Sequence, residues 1–245
     1  MRTACVLQHI RCEPPGIFGE VLREHGIAMA TTELDEGEEL PDWRDVDLVL
    51  AMGGPMSVHD EAEHPWLVQE KAWIAAAVRA GVPYLGVCLG AQLLAASLGA
   101  PVWTGAAPEV GVLPVSVTAA GQADPVFSAL GQQFLALQWH GDTFGVPSAA
   151  IHLGSSPAYQ NQAFRFGDVA YAVQFHVEVS DPMLAAWQHI PAYRASAEAA
   201  LGPAGLGQLA AAFTAAQAVM ADSAVRMLTS WLGLMDRPNA RPVSA

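Results

Sequence analysis

Three short stretches carry residue types that could do covalent chemistry. Gly86-Val87-Cys88-Leu89-Gly90-Ala91-Gln92 is a G-x-C-x-G between an apolar run at 83–87 and a helical stretch at 89–98. Glycines two residues either side of Cys88 permit a sharp strand-to-helix turn that lifts the sulfur above the carboxyl ends of the strands. Backbone N–H groups at the helix start would favour the thiolate. The alternative for Cys88 is one more buried small apolar residue, and the motif favours the functional reading over it. Met52-Gly53-Gly54-Pro55 follows another apolar run, where two glycines let the backbone approach a ligand and turn N–H groups toward a developing oxyanion. A GGP by itself is an ordinary turn more often than not, and its position after a buried strand brings the two readings level. Gln174-Phe175-His176-Val177-Glu178 ends a predicted strand, and period-two geometry puts His176 and Glu178 on one face. A nucleophile, a base and an orienter for the base are then present, although two polar residues at a strand end remain an open alternative.

These residues need a frame. Apolar runs at 3–8, 27–31, 46–52, 83–87 and 101–104 read as strands, and 16–25, 61–80 and 89–98 as helices. In 61–80 the pattern puts Trp66, Leu67, Trp73, Ile74, Ala77 and Val78 inward and Glu63, Glu70, Lys71 and Arg79 on other faces. Alternating β and α predicts a three-layer α/β fold with a mostly parallel, doubly wound sheet and helices on both faces. Short, closely spaced runs at 111–117, 133–138, 150–154, 163–166 and 169–175 suggest a smaller antiparallel part. After Asp181 the chain is alanine-rich, with helices expected at 182–189 and 205–232 as a C-terminal extension of a single domain over 1–235, and a frayed tail over 236–245.

Composition narrows the function classes. The 245 residues carry 11 basic and 24 acidic side chains, a net charge of −13, and Lys71 is the only lysine. A nucleic-acid or anionic-membrane surface is not expected from such a chain. The uncharged stretch 81–108 is long enough to span a bilayer, but Pro83, Gly86, Gly90, Gly99 and Pro101 break it into a buried strand, turn and helix. Cys5, Cys12 and Cys88 are an odd number without CxxC, so neither a disulfide framework nor a zinc site is expected, and a reducing cytoplasm fits best. His25, His59, His64, His152 and His189 show no metal-ligand spacing. His9 and Glu13 flank the first strand-to-helix loop and are weaker candidates for substrate recognition.

With MGGPMSVHD, HPWL, YLGVCLGAQLLAASLGA, PEVG, LQWHGDTF, NQAF and VQFHVEVS in this order, the chain resembles the class I glutamine amidotransferases. Among them it is similar to the standalone proteins related to the amidotransferase half of GMP synthase, over about residues 3–180. The resemblance implies that Cys88 is the nucleophile, His176 the base and Glu178 its acidic partner. It also implies that the Gly54 and Leu89 N–H groups form the oxyanion hole, and that Gly53, Gln92, Trp139, His140, Gly141 and Asp142 border the glutamine pocket. Val177 stands where many family members have proline. The implied reaction is hydrolysis of the glutamine γ-carboxamide through a γ-glutamyl thioester, without metal or organic cofactor. Ammonia would pass to an acceptor not encoded here, with a synthase partner in trans. The same triad would serve a γ-glutamyl peptidase or γ-glutamyl-amine hydrolase, and a non-enzymatic binding module on this fold is the different-class alternative. Because glycine peptides flip easily, the oxyanion turn at Gly53 and Gly54 could leave the isolated chain latent.

Overall fold

The computed structural model describes residues 2–236. Its strands are β1 (Thr3–Gln8), β2 (Ala28–Glu33), β3 (Leu48–Ala51), β4 (Tyr84–Val87), β5 (Val102–Val117), β6 (Gln133–Phe144), β7 (Ala150–Ser155), β8 (Ala163–Phe166) and β9 (Ala170–Val173). The helices are α1 (Ile17–Glu24), α2 (Trp66–Arg79), α3 (Leu89–Ser97), α4 (Ala119–Gln122), α5 (Asp181–Trp187), α6 (Pro191–Leu201) and α7 (Gly205–Met235).

All nine strands form one sheet in the order β2-β1-β3-β4-β9-β8-β7-β5-β6. The ladders from β2 to β9 are parallel, and those from β9 to β6 are antiparallel. The expected antiparallel part is therefore present, and it holds as many ladders as the parallel part. Strand β1 shows why the parallel runs read as continuously apolar. Ala4 and Val6 enter a core with α1 and α7, while Cys5 and Leu7 enter the opposite core with α2 and α3. Both faces are covered, so both side-chain phases must be apolar.

The expected strands 101–104 and 111–117 are one long strand, β5, whose register against β6 shifts between Thr104 and Glu109. Gly105 and Pro108 separate the two expected strands and lie within this irregularity, a common place for such residues in a strand. Helix α2 begins later than expected, at Trp66, with Pro65 at its N-cap. Helix α6 lies where no separate helix was expected. It packs with α5, Trp139 and the start of α7 in a third core cluster. No single helix among the described residues is long and apolar enough to cross a membrane. The frayed tail expected over 236–245 falls, apart from Asp236, outside the described residues.

Candidate active site

The parallel and antiparallel halves meet at β4 and β9, and the candidate site opens at the carboxyl ends of these strands. Cys88 follows β4 directly and caps α3 with φ 51° and ψ −105°, the one non-glycine residue at positive φ among those described. Such a backbone costs about 1–3 kcal/mol and persists only where its surroundings impose it. Here the Cys88 N–H donates to the Val173 carbonyl at 2.8 Å, carrying the β4–β9 ladder into the turn, and the Gly90 N–H donates to Met52 O at 3.1 Å. The flanking glycines provide clearance. A Cβ on Gly86 would lie 2.4 Å from Gly90 O, and one on Gly90 2.1 Å from Ala51 O. Cys88 itself therefore carries the strain, and its sulfur sits at the helix N-terminus.

Regular strand structure ends at Val173, before the expected 175, yet His176 is fixed by another route. Its N–H donates to Leu137 O at 2.8 Å and its carbonyl accepts from the Leu137 N–H at 2.9 Å, an antiparallel bridge to β6. The His176 Nδ1 and Glu178 Oε1 atoms are 2.7 Å apart, and Glu178 Oε2 accepts from the Val177 N–H at 3.0 Å. Both side chains are buried. Burial opposes a charge on the imidazole, but the Glu178 carboxylate and the Cys88 side chain outweigh it and hold its pKa well above the ordinary 6.5. Gln174 Nε2 donates to Cys88 Sγ at 3.5 Å, and Gln174 Oε1 accepts from Gln92 Nε2 at 3.1 Å. Cys88, His176 and Glu178 are thus brought together, and Gln92 joins them through Gln174.

A cavity of about 260 Å³ adjoins this group. Gly54, Ser57, Asp60, Cys88, Gln92, Trp139, His140, Gly141 and Asp142 line it, with Ala192, Tyr193 and Ser196 of α6. No lysine or arginine is among the lining residues. Gly53 and Leu89 are buried and are not among the lining residues. Of the four consecutive pocket candidates, two serve mainly as struts. Trp139 Nε1 donates to Tyr193 O and Ser196 Oγ, tying α6 down. His140 bridges the Asp142 carbonyl (2.8 Å) and Glu109 Oε2 (3.1 Å). Asp142 presents its carboxylate between two hydroxyl donors, Ser57 and Thr104, each at 2.8 Å. Gly141 has open space around its Cα.

His9 and Glu13, weaker candidates for recognition, are fully buried and do not line the cavity. Glu13 receives the Tyr193 hydroxyl. Burial raises its pKa, against the opposing pull of His176 and Tyr193. Glu70, expected on an outer face of α2, is wholly buried because it pairs with His9 at 2.9 Å. Sequence reasoning also misses Tyr193, Glu109 and Gln174. The last two stand inside motifs singled out above, PEVG and VQFHVEVS, whereas Tyr193 carries no local signal at all. Cys5 and Cys12 have thiol pKa values pushed up to about 11, chiefly by burial.

The chain is similar to known proteins over most of its length. Residues 20–182 match the family described as glutamine amidotransferase class-I. A glutamine amidotransferase-like protein of Salmonella typhimurium, YfeJ, is 30% identical over 174 residues, covering 69% of this chain and 73% of that protein. One subunit of the glutamine-hydrolysing GMP synthase of Saccharolobus solfataricus is 31% identical over 139 residues, 54% of this chain and 68% of that subunit. The crystal structure of a glutamine amidotransferase from Thermotoga maritima superposes with a TM-score of 0.84 at 27% identity, covering 96% of this chain and 99% of that one. The fold expected from the sequence is the fold of this structure, and the chain belongs to the class-I glutamine amidotransferase family.

Proposed function

We propose that the chain hydrolyses the γ-carboxamide of glutamine through a thioester on Cys88. The observation that carries this reading is the convergence of a strained cysteine at a helix N-terminus with a buried His176–Glu178 pair beside one cavity. The Cys88 thiolate adds to the amide carbon, and the resulting oxyanion accepts hydrogen bonds from the Gly54 and Leu89 N–H groups. His176, oriented by Glu178, gives a proton to departing ammonia. It then takes one from the water that cleaves the thioester, which returns glutamate and free enzyme. Asp142, held between two hydroxyls and without a side-chain cation, suits the α-ammonium of the substrate, while Gln92 stands beside Gln174 at the sulfur. Ammonia would go to an acceptor not encoded in these residues, on a synthase partner in trans, as the similarity to a GMP synthase subunit suggests.

A second reading, hydrolysis of γ-glutamyl amines, is favoured by one feature. The cavity wall carries Asp60 and Asp142 with no lysine or arginine, which suits a leaving group that is itself a cation. Both readings are tested by assaying glutamine against a panel of γ-glutamyl amides, with peptide mapping after a diazo-ketone glutamine analogue. Labelling is expected at Cys88 and not at Cys5 or Cys12, whose raised pKa values keep them as thiols at neutral pH. Equal labelling of all three, or turnover surviving Cys88→Ala, would defeat the mechanism.

A further inference from the structure

The proposed mechanism leaves His9 and the HPWL motif without a task, although His9 borders the glycine turn and Trp66 of HPWL stacks on the His9 ring. His9 is completely buried. Its Nδ1 lies 3.2 Å from the Gly53 carbonyl oxygen and its Nε2 lies 2.9 Å from Glu70 Oε1. Trp66, the aromatic residue of HPWL, stacks on the imidazole with ring centroids 5.6 Å apart and planes 21° apart. The ring is therefore fixed at both nitrogens and across its face. A backbone carbonyl can only accept, so the Nδ1 atom must carry a proton.

The consequence follows from peptide geometry. In a trans peptide the carbonyl of one residue and the N–H of the next point in opposite directions, and no cis bond occurs among the described residues. With the Gly53 oxygen turned to His9 on the buried side, the Gly54 N–H is turned the other way. Gly54 lines the cavity with Cys88, whereas His9 does not. A flip of this peptide would both remove the N–H from the cavity and leave the His9 Nδ1–H without its acceptor in a buried site, which burial penalises. The easy glycine flip anticipated from the sequence is thus opposed by a specific hydrogen bond.

We propose that His9, braced by Glu70 and Trp66, is a positioning residue that locks the Gly53–Gly54 peptide with the Gly54 N–H facing the cavity, and so sets the oxyanion-stabilising power of the site. This rests on the thioester mechanism above. It extends that mechanism to a residue that touches neither substrate nor Cys88.

Two variants separate the functions of the ring's nitrogens. The amide nitrogen of His9→Asn sits where Nδ1 does and can still donate to Gly53 O; that of His9→Gln sits where Nε2 does and reaches Glu70 instead. With γ-glutamyl-p-nitroanilide and glutamine, His9→Gln is expected to lower kcat at least about tenfold with KM little changed, short of the 10²–10³ lost when an oxyanion donor is removed outright. His9→Asn is expected to recover most of that loss. Alkylation of Cys88 by iodoacetamide forms no oxyanion, so its rate should stay at the wild-type value in both variants. Equal activity of His9→Gln and wild type would overturn the proposal, as would a loss in His9→Asn as large as in His9→Gln, or alkylation falling in step with turnover. Should His9→Gln not fold, ¹⁵N-histidine spectra of the wild type decide: a protonated, exchange-protected Nδ1 at His9 is expected, and a bare Nδ1 overturns the role. Wild-type protein that alkylates at Cys88 yet cleaves no γ-glutamyl compound would instead defeat the thioester mechanism, and this proposal with it.

Discussion

Two buried histidine–glutamate pairs stand on either side of the same glycine turn and are built in opposite ways. His176 and Glu178 are two residues apart, and the pair occupies one ring nitrogen, leaving the rest of the imidazole to face Cys88. His9 and Glu70 are 61 residues apart, brought together from the loop after β1 and from α2, and both ring nitrogens are taken by protein oxygens. Gly53 lies between them: a Cβ there would approach Glu13 Oε2 to 2.0 Å and His176 Cε1 to 3.3 Å. A histidine with a free nitrogen can trade protons with a substrate, whereas one with both engaged can only hold something in place. The glutamate partner does not distinguish the two; what the second nitrogen meets does.

The largest test of this contrast is removal of each ring. His176→Ala is expected to abolish turnover, a fall of at least about 10⁴-fold, while His9→Gln loses at least about tenfold but less than about 10²-fold. Stopped-flow acylation with γ-glutamyl-p-nitroanilide measures both, and comparable losses would erase the distinction. Glu178→Gln comes next, costing about two orders less than His176→Ala because an unoriented imidazole still acts. It should also move the alkaline limb of the pH–rate profile to lower pH, since Glu178 contributes most to raising the ring's pKa against its burial. An unmoved limb would show that His176 does not titrate in the rate.

Gly53→Ala attacks both pairs at once. Its methyl group meets a Glu13 carboxyl that cannot retreat, because the Tyr193 hydroxyl holds it in a buried site. A destabilisation of about 1–3 kcal/mol is expected by chemical denaturation. Gly141→Ala, with open space around it, should be close to neutral and serves as the control. The smallest effect is on the pH dependence of stability. His9 and His176 have raised pKa values, as has Glu13, so the native state binds more protons than the unfolded chain and stability falls as pH rises. The histidine contribution is complete below 6.5 and is lost as pH climbs through the raised native values. Exposed Asp42 and Glu61 are shifted the other way and act only at more acid pH. Calorimetry should show the melting midpoint declining above pH 6.5, less steeply in His9→Asn. A midpoint that rises over this range would contradict the assigned shifts.

The same contrast explains what could be read in the sequence. The G-x-C-x-G turn and the His176–Glu178 pair are legible because every residue that defines them lies within a few positions of its partner. The parallel strands are legible because two buried faces force an unbroken apolar run. Glu70 reads as a solvent-facing position, since its partner His9 belongs to another element. Tyr193 meets Glu13 across 180 residues, and nothing in the alanine-rich stretch around it announces a cavity wall. Long strand β5 reads as two because its irregular stretch carries a glycine and a proline, residues that usually end a strand.

The hydrogen bond from the Cys88 N–H to Val173 also bears on how the molecule comes into being. A chain emerging from the ribosome presents its amino-terminal residues first, yet β9, the neighbour of β4, is the last strand to be made. Until then Cys88 has neither the acceptor for its backbone nor the imidazole that faces its sulfur. The cavity wall waits longer still, for Tyr193 and Ser196 on α6. A nascent polypeptide therefore carries an ordinary thiol until β9 and the residues just after it have been made, and any reactive character emerges only once His176 is present.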